Sequence, residues 1–308
     1  MKRELKSKRA DRAKGGKWAP VLALAALGLG VGWADPAAAT SLKPPKIPDG
    51  EVCRYHVYER TDTKGQSESF VSPREEVQSV RQIITTFDKD GRQYYRFFRA
   101  ERLAGGHITY YTYVFENAEP FQFVAFSKMV QSRSGRIVHD ETTYFDDPDH
   151  AFPEDLNHFY SIPMSIRGLP FAPGSKEDLQ IWFSGHFTPW RMDVLVEGEE
   201  LVKVPAGVFH CWKVRVDPDL KSIFKKWYWL ARVLKSWVPS YYYWFSQEAP
   251  HVLVKFEGRF GPVGFSPIQV QELTSVGSAT AEDRELLRRF SPSPESLHFY
   301  EVSKPITP

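Results

Sequence analysis

The chain has 308 residues, of which 42% are hydrophobic, 15% aromatic and 25% charged, with 23 Pro and 2 Cys. That composition excludes a disordered polyelectrolyte and a disulfide scaffold. Residues 1–39 carry eight basic and three acidic side chains, which leaves 32 basic and 35 acidic residues in the remainder, so the body offers no electrostatic case for nucleic-acid binding.

The first 39 residues read as an address. A basic stretch, MKRELKSKRADRAKGGKW, precedes an apolar run from Ala19 to Ala34 and a small-residue segment ending at Ala39. This is the pattern of an export signal, and it places the body in the periplasm of a bacterium. Sixteen apolar residues rise about 24 Å as a helix, short of a roughly 30 Å hydrocarbon core. A cleaved signal peptide is therefore the reading, with an uncleaved inner-membrane anchor as the alternative. Residues 40–50, rich in proline, read as a linker.

From residue 51 the chain alternates with period two. Runs at 51–60, 76–87, 92–103, 107–116, 121–130 and 136–145 are rich in Tyr, Phe, Val, Ile and Thr. Short turns such as DKDG (88–91) and AGG (104–106) separate them, which predicts an antiparallel meander. Prolines and acids break the pattern over 146–178, predicting a crossover loop with one helical turn near 156–160. The acids Asp146, Asp147, Asp149, Glu154 and Asp155 match no calcium loop and read as a solvated crossover. A second series follows at 178–187, 190–198, 199–204 and 208–216, then at 241–246, 251–258 and 266–276. The expected fold is a mainly β domain over 51–276, a large antiparallel meander curved or closed into a barrel-like half-shell. Residues 277–308 read as a short helix (281–290) and a flexible tail.

A helix is expected over 217–238, inserted between late strands, with Asp217 as its cap and Pro218 at its first turn. Its apolar face holds Phe224, Trp227 and Trp237. Lys225, Lys226 and Arg232 stand among cations that no acid balances, and Trp229 interrupts the polar side. Most amphipathic helices bury such a face as core. An interfacial helix at an anionic membrane surface, or a gate over an apolar cavity, would show the same features. Tyr241 and Tyr243 continue the aromatic run and complete the candidate contact set for an apolar or lipid-like ligand.

Export would allow Cys53 and Cys211 to pair. The parity of their neighbours favours two separate thiols packed as small apolar groups. No catalytic motif, metal-ligand spacing or cofactor-binding loop is present in the sequence. His186, His210 and His251 would support hydrolysis only if one of them met a carboxylate such as Asp193 or Glu257.

VEGEELVKVPAGVFHCWKV (196–214) resembles a hairpin of the bacterial family called domain of unknown function 3108. YYYWFSQEAPHVLVKFEGRFGPVGFSPIQVQEL (241–273) resembles that family's closing segment. The resemblance implies an exported β-rich domain and no mechanism. The functional expectation is a non-enzymatic envelope protein that holds an apolar or amphiphilic ligand against a concave aromatic face. The alternatives are an assembly module for another envelope protein and a hydrolase acting on envelope glycans or lipids.

Overall fold

The structure is a computed structural model that describes residues 42–60, 77–145, 156–182, 190–220, 239–259 and 267–299. The export signal expected over 1–39 lies outside the described residues. Alternating sequence builds six antiparallel strands: β1 (Glu51–Arg60), β2 (Val77–Lys89), β3 (Arg92–Leu103), β4 (Ile108–Glu116), β5 (Gln122–Gln131) and β6 (Ile137–Tyr144). The second series supplies β7 (Leu156–His158), β8 (Lys176–Trp182), β9 (Trp190–Val204), β10 (Gly207–Pro218), β11 (Tyr241–Ser246), β12 (Leu253–Arg259) and β13 (Ile268–Ser278). All thirteen belong to one sheet, ordered β6-β5-β4-β3-β2-β1-β13-β12-β11-β10-β9-β8-β7. The first strand pairs with the last, from Glu51 opposite Ser278 to Arg60 opposite Ile268.

Chain connectivity forces this sheet to roll. Thirteen strands laid flat would span about 58 Å from edge to edge. The chain must pass from Tyr144 on one edge to Leu156 on the other, and the intervening backbone reaches at most about 42 Å. The two edges accordingly approach each other: the Phe126 ring of β5 lies 4.9 Å from the His158 ring of β7. Edge-strand pairing does not close the roll, because β6 and β7 are not neighbours in the ladder.

The roll has a filled interior and a partly covered exterior. Tyr95 and Phe97 of β3, Tyr113 and Phe115 of β4, and Tyr243 and Phe245 of β11 all enter one apolar core. On the outer face Val52, Ile83, Phe98 and Tyr110 meet Leu287 and Phe290 of a late helix.

Five sequence expectations are corrected. Residues 42–50 are a packed segment, because Leu42 and Ile47 are apolar enough to enter the core between the prolines. The Phe121 amide donates to the Leu42 carbonyl, and the Tyr95 hydroxyl donates to that of Pro45. Second, the turn expected at 156–160 begins as β7, which pairs in parallel with β8. A 3₁₀ turn (Phe159–Ser161) and the short helix α1 (Ile162–Ile166) follow it. Third, 190–198 and 199–204 form one strand, since a bulge at Glu197, opposite Lys213 and Val214, absorbs the break in parity. Fourth, Asp217 and Pro218 stay in β10 opposite Asp193 and Met192. Asp217 then pairs with Arg215 and does not cap a helix.

Fifth, the tail is not loose up to residue 299. Helix α2 (Ala281–Phe290) carries a capping box between Thr280 and Asp283. Arg54 and Arg81 both reach the buried Asp283 carboxylate at 3.2 Å. Phe290 stacks on Tyr110 at 4.1 Å, and beyond the helix Phe299 stacks on Tyr94 at 4.5 Å.

Gly168 shows how tightly the 42–50 segment is seated. A Cβ there would stand 2.0 Å from the Lys43 carbonyl oxygen. Gly168→Ala is expected to cost about 1–2 kcal/mol as the segment is pushed away. Faster trypsin cleavage after Lys46 would register the change, and an unaltered cleavage rate would show that the segment yields freely.

Candidate functional site

The interior is aromatic almost throughout, and its exceptions define the site. Along β3 the inward positions run Tyr95, Phe97, Arg99 and Glu101, so the alternation that buries two rings also buries two opposite charges. The Arg99 Nε donates to Glu101 Oε1 at 2.7 Å. Its Nη2 donates to Gln271 Oε1 of β13 at 3.3 Å, and the guanidinium lies 5.1 Å from the centre of the Tyr160 ring. Burial opposes the charge on Arg99, but the adjacent Glu101 carboxylate overrides that and leaves its pKa raised.

Three polar groups around this pair lack partners. Gln82 Nε2, Gln271 Nε2 and the Tyr113 hydroxyl are buried and have no hydrogen-bond partner among the described residues. Gln82 stands opposite Arg99 in the β2–β3 ladder. Burial lifts the Tyr113 and Tyr243 hydroxyls well above the usual phenol range, so both stay protonated. Buried polar groups in folded proteins are nearly always paired, so leftover donors at one place require an account.

A partly open cavity of about 20 Å³ lies beside the Arg99–Gln271 bond. Arg99 and Gln271 form its polar wall; Phe159, Tyr160, Tyr243 and Phe256 form most of its apolar wall. That volume holds one water or one polar group of similar size, and no acyl chain. The concave aromatic face expected from sequence is thus packed with its own rings where it is described. Tyr241, 5.0 Å from Phe159, and Tyr243 both point inward as part of that packing. Phe224, Trp227, Trp229, Trp237, Lys225, Lys226 and Arg232 lie outside the described residues.

A second buried ion pair sits where the chain enters β1. Arg167 Nη1 and Nη2 donate to Glu51 Oε1 and Oε2 at 2.6 and 2.8 Å, and Arg167 Nε donates to the Pro250 carbonyl at 2.8 Å. Cys53 Sγ is 3.8 Å from Glu51 Oε1. Burial and then the Glu51 charge push the Cys53 thiol up to about 12, and burial followed by Glu200 does the same to Cys211. Both cysteines are buried and free, so no disulfide joins them.

The histidine–carboxylate arrangement does not form among the described residues. Glu257 is held by Lys255 and Arg60. His251 turns its Nδ1 to the Ser246 carbonyl at 2.9 Å, and His210 is exposed. Asp193 lies among Asp178, Asp219 and Arg191, and burial followed by those two acids raises it to about 6. His186 is outside the described residues. No cluster of three metal-ligating side chains occurs among the described residues.

Sequence reasoning passed over Arg99, Glu101, Gln82 and Gln271. The available signal was an Arg-x-Glu pair on the parity of Tyr95 and Phe97, because a charge on a strand's apolar face is buried by geometry alone.

The family described as Protein of unknown function (DUF3108) matches residues 48–266. No curated protein matches the sequence. Among solved structures, the β-barrel-like protein of domain of unknown function DUF1849 from Brucella abortus has a TM-score of 0.40 at 9% identity, covering 78% of this chain and 100% of that chain. A protein from Bacteroides fragilis described as exported, with a YmcC-like fold, has a TM-score of 0.34 at 11% identity over 78% of this chain and 100% of its own. A protein from Parabacteroides distasonis described as a lipoprotein has a TM-score of 0.32 at 13% identity over 78% and 99%.

Proposed function

The chain belongs to the DUF3108 family, and on that premise we propose that it is an exported envelope protein that binds an amphiphilic ligand and catalyses no reaction. The basic and apolar pattern of residues 1–39 supports export to the periplasm. The observation that carries the ligand is the buried, unpartnered Gln271 Nε2 on the wall of a cavity in an otherwise ring-filled interior. A cavity of about 20 Å³ limits what enters to the polar end of the molecule. The apolar part would lie outside it, against the half-buried Tyr160 ring on its wall.

Protein recovered from a bacterial envelope and extracted with organic solvent should release a monoacyl amphiphile in near-stoichiometric amount, identified by mass spectrometry. A clean extract, together with no binding of monoacyl amphiphiles added below their micellar concentration, would overturn the proposal.

An assembly module is the second reading, and solid interior packing favours it. Leu201 and Val208, 61% and 59% exposed on the β9–β10 hairpin, are the apolar side chains such a module would present. It predicts a crosslinked envelope partner that is lost in Leu201→Asp with no change in bound lipid.

A further inference from the structure

The Gln271 donor also says which polar end the cavity takes, an inference that rests on the ligand reading above. Gln271 gives its Oε1 to Arg99 Nη2. That bond fixes the amide's orientation, since the flipped amide would set NH₂ against a guanidinium N–H. Gln271 Nε2 is therefore a committed donor, and Gln271 is only 3% exposed.

The cation at this place is already spoken for. Arg99 and Glu101 are both buried and 2.7 Å apart, so the pair is neutral and a carboxylate stands beside the cavity wall. A second anion would share one guanidinium with Glu101 in a water-poor interior, where like charges repel strongly. An uncharged oxygen accepts the same hydrogen bonds without that repulsion. We propose that the cavity selects an uncharged acyl carbonyl, the ester or amide of a monoacyl amphiphile, over the corresponding free acid.

Three twelve-carbon probes test it by titration calorimetry on the full-length folded protein at pH 7.5. Monolauroylglycerol carries the ester carbonyl, laurate carries the carboxylate, and dodecyl glyceryl ether carries the same hydroxyls without a carbonyl. The ester should bind at least about tenfold tighter than either of the others. Glu101→Gln should narrow the gap between ester and laurate, and Gln271→Leu should weaken the ester while leaving the ether unchanged. Laurate or the ether binding as tightly as the ester would overturn the selectivity and leave the ligand reading standing. Failure of all three to bind protein with an intact circular dichroism spectrum would remove the ligand reading and this inference together. The wild-type comparison decides the matter even if Glu101→Gln fails to fold.

Discussion

Arg167→Met will cost the protein about 3–5 kcal/mol, the range for a buried ion pair that loses one member. The guanidinium spends all three of its nitrogens on buried acceptors: both oxygens of Glu51 and the Pro250 carbonyl. Those acceptors come from the first residue of β1 and from the turn between β11 and β12, while Arg167 itself ends α1. One side chain therefore ties three segments that are remote in sequence. Without it Glu51 keeps a buried charge, with the weak Cys53 thiol as its remaining side-chain hydrogen-bond partner. Methionine preserves most of the volume, so lost packing contributes little and the measured loss belongs to the stranded carboxylate and carbonyl. The double variant Glu51→Met, Arg167→Met removes both charges and should recover part of the deficit, leaving mainly the unpaired Pro250 carbonyl. Urea unfolding of the wild type and both variants tests this. A loss under about 1 kcal/mol in Arg167→Met would mean that water reaches the pair and that it does not hold the three segments.

Period-two alternation made the sheet legible. β1, β3 and β11 fall on runs dense in aromatic and β-branched side chains, which a pleated backbone can bury on both of its faces. Elements with no such pattern stayed hidden. β7 is three residues long, Leu-Asn-His, and owes its place to the β8 backbone beside it. The segment 42–50 has no period at all, and its two core residues are evident only once a sheet end exists for them to cover. Asp217 and Pro218 carry strong helix-start chemistry, yet the β9 ladder runs two residues further than local preference suggests. The interior site was concealed in a different way. Arg99 and Glu101 look like surface residues by type, and only the face on which they fall, shared with Tyr95 and Phe97, makes them buried.

Acid should unfold this protein through His158 before the ring itself titrates. The imidazole is enclosed by Phe126, Tyr113 and Trp182 at 4.9, 5.3 and 5.4 Å. Its Nδ1 accepts from the Tyr160 amide and so caps the 3₁₀ turn after β7. Burial first, then the positive charges of Lys128 and Arg99, lower its pKa from 6.5 to about 3. Below pH 6.5 the unfolded chain takes up a proton that the folded ring refuses, so stability falls by about 1.4 kcal/mol per pH unit until the folded pKa is reached. At pH 4.5 the loss is about 2–3 kcal/mol. Asp193 acts in the opposite sense. Its carboxyl, raised to about 6, holds a proton that the unfolded chain has released, so its contribution grows as pH falls from 6 towards 3.8. The two effects overlap in the wild type and separate in a variant. His158→Asn keeps an acceptor for the Tyr160 amide but removes the titrating ring. It should be the less stable protein at pH 7.5, where the lost ring contacts dominate, and the gap to wild type should shrink by about 2–3 kcal/mol between pH 7.5 and 4.5. Urea midpoints across that range read the difference directly, since Asp193 and every other carboxylate are common to both proteins. Two stability curves that stay parallel from pH 7.5 to 4.5 would mean that His158 is protonated equally in the folded and unfolded chains.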